Sequence, residues 1–211
     1  MLTKATRTLI WIPIIHTQVD QGSLSESIRE LHIRRLGTER WEQHLRAVED
    51  TWRCIREDLD SLNLCYAQVR LYQDGLPQCG HEANIVRELA EAGSKNHRLL
   101  LNLMQQGATL MGTESTELLL EEYYLARQVL VAMESKQPNA AEGRQQELSA
   151  CLLERRDCYI ANRVCETLLV GETGILFLGL LHSIERRLPP DIRVRKMTPR
   201  QNPQPGSEVD L

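Results

Sequence analysis

The sequence predicts an α/β fold, a mostly parallel sheet of four to five short strands flanked by long helices. Three observations carry that expectation. First, two short apolar runs, 9–15 (LIWIPII) and 175–178 (ILFL), have the length and boundaries of strands buried on both faces. Second, the segments between strand candidates show the three-to-four-residue apolar spacing of helices. Third, several strand candidates run directly into an ionisable residue, and in open α/β sheets ligands bind at the strands' carboxyl ends.

The length, 211 residues, suits one domain with a substantial core. The expected division is a single α/β domain with helical insertions over 1–197 and a disordered, proline-rich tail over 198–211 (TPRQNPQPGSEVDL, from Thr198). A formal net charge of -4 gives no general attraction to nucleic acid or to an anionic membrane. No apolar run reaches the roughly 18 residues that span a bilayer. The start, MLTKATRTLIWIPIIHT, imitates a signal peptide, but it is short, contains Pro13 and lacks a small-residue cleavage site. It reads as a first strand, and the protein as cytoplasmic.

Taken in order, the first strand ends at His16, and the loop TQVDQGSLSESI follows. Ser23 with Glu26 fits a capping box for a helix from about Ser25 that stops near Gly37. Thr38 can cap the next helix, with Glu39 and Glu42 favourably placed against its dipole. In it, Trp41, Leu45, Val48, Trp52, Ile55, Leu59 and Leu62 recur at spacings of four and three. That seam is expected to pack within the domain, with a homodimer interface as the alternative. Residues 65–72 (CYAQVRLY) alternate as a second strand and empty into Gln73-Asp74-Gly75-Leu76-Pro77, a turn. Asp74 is either a turn residue bonding its own backbone or a site residue. His81 and Glu82 open HEANI, which lacks the second histidine of a zinc-protease helix.

Helices are expected over 82–91 and 96–105, separated by Gly93-Ser94. Residues 107–114 form a third strand candidate ending in Glu114, which could equally be a first-turn glutamate of the helix carrying Leu119, Tyr123, Ala126, Leu130 and Met133. A polar loop over 135–142 precedes a long helix over 143–169 and then the 175–178 strand. Gly179-Leu180-Leu181-His182 follows, then a short helix ending at Pro189-Pro190 and an alternating edge strand from Ile192. Among the six cysteines there is no CxxC pair; Cys151, Cys158 and Cys165 are spaced by seven and are expected to be core residues of the long helix, a redox or metal role being the alternative.

Four strand candidates thus end in His16, Asp74, Glu114 and His182. In a parallel sheet with right-handed crossovers these side chains meet at one edge. Two neutral imidazoles and one or two carboxylates are a competent donor set for a divalent metal ion: His16, Glu114 and His182 as ligands, Asp74 nearby. Such a metal lowers the pKa of bound water and polarises a carbonyl or phosphoryl oxygen. Without metal, the same four residues serve as general acids and bases. The chain has no GxGxxG, GxxxxGK[ST] or GxSxG signature, and basic residues do not cluster with aromatics as in nucleic-acid-binding proteins.

The stretch Leu153-Glu154-Arg155-Arg156-Asp157-Cys158-Tyr159-Ile160-Ala161, followed by the strand and Gly179-Leu180-Leu181-His182, resembles the TraB/PrgY and Tiki group of the erythromycin-esterase/ChaN-like superfamily. Those proteins carry an ERN-like helix motif, then a strand ending in GxxH, and an N-terminal GxxH that Pro13-Ile14-Ile15-His16 approximates. Here Pro13 replaces the glycine and Arg156 stands where asparagine is usual. The resemblance implies an α/β fold with both histidines in one site and Arg155 facing it. Tiki-type members are metal-dependent proteases, ChaN binds haem and erythromycin esterase opens a macrolactone. The expected function is therefore a metal-dependent hydrolase of a small-molecule or peptide substrate. The alternatives are a non-catalytic module of the same fold binding a small molecule or haem, and a helical interaction module using the Trp41 seam.

Overall fold

The computed structural model describes residues 7–14, 25–134 and 142–197; His16, Ser23, the 135–141 loop and the tail from Thr198 lie outside the described residues. The elements are β1 (Arg7–Ile14), α1 (Ser25–Leu36), α2 (Thr38–Ser61), β2 (Val69–Gln73), α3 (Glu82–Glu91), α4 (Lys95–Gln105), β3 (Thr109–Met111), α5 (Thr116–Glu134), α6 (Glu142–Thr167), β4 (Thr173–Gly179) and β5 (Ile192–Lys196). The five strands form one parallel sheet in the order β3-β2-β4-β1-β5, so the predicted α/β class holds.

Both faces of the sheet are covered, which is why residues 9–14 of β1 and 175–178 of β4 are continuously apolar and show no alternation. From β1, Ile10, Ile12 and Ile14 join α2, α3 and α4 in one core, while Leu9 and Trp11 join α6 in the other. In β4, Ile175 and Phe177 face the first layer, and Leu176 and Leu178 the second. Connectivity follows from that division. The steps β1 to β2 and β2 to β3 move toward one edge of the sheet, with α2, α3 and α4 on one face. The step β3 to β4 moves back through α5 and α6, and α6 lies on the opposite face, as a constant handedness of crossover requires. β4 then leads on to β5 in the same direction. The exits of the neighbouring strands β2 and β4 therefore lead to opposite faces of the sheet, the place where open α/β sheets form a ligand crevice.

The seam of α2 is core for most of its length. Val48, Trp52, Ile55 and Leu59 are buried against the sheet, and the Trp52 ring lies 6.2 Å from Phe177. Leu45 is the departure, at 37% exposure, and Trp41 packs instead with the rings of His32 and His44. Other boundaries shift for local reasons. β2 starts at Val69 because Tyr66–Gln68 makes a 3-10 turn, and the expected helix before Pro189 is the single 3-10 turn Glu185–Arg187. The expectation of core cysteines on α6 is corrected. Cys151 and Cys158 are exposed and Cys165 is half-buried, because Ile160, Ala161, Val164 and Leu168 occupy the inward stripe. All six cysteines are free thiols. Among the described residues, no helix is long and apolar enough to cross a membrane.

Replacing Trp52 by alanine removes a side chain that is 3% exposed from the layer between α2 and the sheet. The expected cost is about 3–5 kcal/mol, read from the denaturant midpoint, with no change in molecular mass by light scattering.

Candidate functional site

Asp74 is placed by the β2–β4 crevice. Its backbone N–H donates to the Phe177 carbonyl at 2.9 Å, and its carboxylate Oδ2 accepts the Gly179 N–H at 2.8 Å. The side chain therefore ties the ends of two strands together and does not close its own turn. Gly75, at φ 75°, makes that turn and donates its N–H to Glu114 Oε1 at 2.8 Å.

Glu114 lies beyond β3 in a short parallel bridge with Pro77, its N–H donating to Leu76 O at 3.0 Å and its carbonyl accepting from Gln78 N at 2.8 Å. The approach is possible because Gly112 has no side chain: a Cβ there would lie 2.6 Å from Gln78 Cα. Ser115 Oγ accepts the Leu118 N–H at the start of α5, so Glu114 precedes the helix cap and is not a first-turn glutamate. It is fully buried.

The cation that balances these carboxylates comes from the middle of α6. Arg156, 4% exposed, donates from Nε to Glu114 Oε2 at 2.7 Å, and from Nη2 to Glu114 Oε1 at 2.6 Å and Asp74 Oδ1 at 2.8 Å; its Nη1 donates to Glu122 of α5. Asp157 faces the other side of the crevice. Its Oδ1 bonds His182 Nδ1 at 2.6 Å and its Oδ2 accepts the Ser183 N–H at 2.9 Å. His182 Nε2 then lies 3.6 Å from Asp74 Oδ2, closing a chain of charged groups from Glu114 to Asp157.

Three of the four residues singled out at strand ends therefore converge: Asp74, Glu114 and His182. His16 is outside the described residues. Arg155 is a correction. It is exposed and pairs with Glu121, while its neighbour Arg156 faces the site. Successive helix residues differ by about 100° in direction, so an error of one residue in register exchanges surface for interior. The inward pair of the ERN-like stretch is Arg156-Asp157. Sequence reasoning missed both as site residues, although 156/157, 160/161, 164 and 168 fall on one helical stripe. Two charges on an otherwise apolar stripe were the available signal.

Among the described residues, the donors fit a metal poorly. Among the described residues no group of three histidine, cysteine or carboxylate side chains is arranged to hold one. Both Glu114 oxygens are engaged by Arg156, and the His182 Nδ1 is engaged by Asp157. What the arrangement provides is proton chemistry. Burial works against the charged imidazole, but the hydrogen bonds to Asp157 and Asp74 outweigh it and push the His182 pKa up to about 9. Burial likewise pushes the Glu114 carboxyl above its ordinary range against the pull of Arg156. The guanidinium, despite its own burial, is held charged by Glu114 and Asp74.

Fold and site together define a doubly wound α/β protein with a buried acid–base cluster at the point where its strand order reverses. Comparison with known proteins adds no relative: no family model, no curated protein and no solved structure matches the chain.

Two outcomes test the cluster. His182 has a folded pKa of about 9 against an unfolded value of 6.5. Its contribution to stability, about 3 kcal/mol, is therefore complete below pH 6.5 and lost as pH rises through 9. Unfolding midpoints from pH 6 to 10 are expected to fall over that window in the wild type and to stay flatter in His182→Gln. Arg156→Met leaves two buried carboxylates without their cation and is expected to cost about 3–5 kcal/mol at neutral pH. Part of that loss returns in mild acid as Glu114 takes up a proton.

Proposed function

We propose that this protein is a hydrolase of a small-molecule or peptide substrate, with His182 as its central acid–base group. The observation that supports the reading best is the 2.6 Å pair between Asp157 and His182 Nδ1, which fixes the imidazole and directs Nε2 toward Asp74 in the crevice between β2 and β4. In the proposed cycle, Asp74 accepts a proton from the attacking water, and protonated His182 gives its Nε2 proton to the leaving group. Transfer from Asp74 to His182 across their 3.6 Å separation restores the starting state. Arg156 and Glu114 hold Asp74 in place. The likeness to the TraB/PrgY and Tiki group points the same way, and so does the sequence expectation that His16 is a second imidazole of the site. A divalent metal belongs to that expectation.

One observation favours a second reading, a non-catalytic module binding a small molecule or haem: His182 is only 7% exposed, so a reactant must displace a neighbour to reach it.

The test is turnover of p-nitrophenyl esters and of a mixed fluorogenic peptide set by untagged protein, beside His182→Gln and Asp157→Asn. The hydrolase reading expects turnover that both substitutions abolish while thermal midpoints show folded protein. It also expects kcat to decline as pH rises through about 9, since the acid must be protonated. Wild-type protein without turnover but with a haem absorbance band supports the second reading. Metal content of the same preparation decides whether the expected ion is present.

A further inference from the structure

Between α5 and α6 lies a groove of about 320 Å³, near the lower end of the ~300–1,000 Å³ usual for small-molecule pockets. Leu125, Ala126, Val129, Leu130, Leu152 and Leu153 line it, with Ser149 and one charged residue, Glu122. That residue connects the groove to the buried cluster. Glu122 holds the Nη1 of Arg156, the same guanidinium whose Nε and Nη2 are committed to Glu114 and Asp74. The three carboxylates are not equivalent. The side chains of Glu114 and Asp74 are 0% and 4% exposed, whereas that of Glu122 is 48% exposed. Glu122 can therefore swing into water at little cost, while the other two cannot leave. Its departure leaves the Nη1 edge of a fixed guanidinium without that partner, beside the apolar groove that Glu122 lines. An arginine edge of that kind is matched by a carboxylate.

We propose that the α5–α6 groove binds an aliphatic monocarboxylate, its chain between the two helices and its carboxylate on Arg156 Nη1 in place of Glu122. The inference rests on the hydrolase reading only where it identifies this molecule with the acid product of an ester or amide. The binding itself stands on the groove and the exchangeable ion pair. Glu122 acts as an internal competitor that occupies the anion position until a ligand with enough apolar chain displaces it. Short acids such as acetate gain too little from burial to do so.

The experiment is calorimetric titration of the full chain with butanoate, hexanoate, octanoate and decanoate, beside Glu122→Gln and Ala126→Trp. Each added methylene is expected to tighten binding by about fourfold while the groove has room. Glu122→Gln, which removes the competing charge, is expected to bind decanoate several-fold more tightly. Ala126→Trp, which fills the groove, is expected to abolish binding. No binding of decanoate to wild type, no dependence on chain length, or equal affinity in Glu122→Gln overturns the proposal. So does a wild-type dimer that Ala126→Trp dissociates, since the groove then accommodates a second copy of the chain. Calorimetry needs no turnover: decanoate binding without hydrolysis of any ester counts against the hydrolase reading alone, and hydrolysis without decanoate binding against the groove alone.

Discussion

The Arg156 guanidinium is the interaction on which the carboxyl edge of this sheet depends. It is almost completely buried, and it touches the exits of β2 and β3 and the flank of α5 at once. Carboxylates placed as Asp74 and Glu114 are, in a water-poor environment, could not both stay ionised without a cation between them. A buried ion pair of this kind is weak evidence of net stabilisation, because desolvating its members offsets most of their attraction. Its effect is on geometry. Once formed, it allows only one rotation of α6 about its axis. Tyr159 on Gln78 and Arg163 on the Gly112 carbonyl secure the same two loops from successive turns of the helix.

That rotation is also what sets the histidine. Arg156 and Asp157 are adjacent on α6 and diverge by about 100°, one toward β2 and β3, the other toward β4. Asp157 holds the imidazole ring of His182 and the amide of Ser183 together, so the turn after β4 is fixed from the helix. Gly179, at the other end of that turn, is fixed from β2 by Asp74, and its carbonyl accepts the His182 N–H at 3.2 Å. The imidazole is thus held by groups from β2, β4 and α6. A ring locked in this way by its neighbours is what the proposed acid–base role of His182 requires.

Much of this was legible in the sequence, and what was not has identifiable causes. The strands β1 and β4 stood out because burial on both faces makes a strand continuously apolar. Glycine at 93, with the polar residues beside it, separated α3 from α4, and the seam of α2 declared its buried face. The convergence of Asp74, Glu114 and His182 followed from parallel strands ending in ionisable residues. What failed was register on a helix. Strand residues announce the carboxyl edge by being last, but nothing local says which of Arg155 and Arg156 turns inward. Only the apolar stripe through Ile160, Val164 and Leu168 decides it. Spacing alone also misassigned the cysteines at 151 and 158, since a repeat of seven marks one face of a helix without saying which face is covered.

The charge count of the cluster connects its two proposed uses. Asp74, Glu114 and Asp157 contribute three negative charges, and Arg156 with protonated His182 contributes two positive ones, so the centre keeps an excess of one negative charge. An anion is therefore repelled from the centre, and for the proposed reaction a neutral ester or amide is the better match. In the proposed hydrolysis the acid product would be an anion, unsuited to the place where it forms. The Nη1 edge of Arg156, held by Glu122 beside an apolar groove, is the proposed position for a carboxylate. Without Glu122, the Nη1 edge of Arg156 would stand unpaired beside apolar surface whenever the groove is empty.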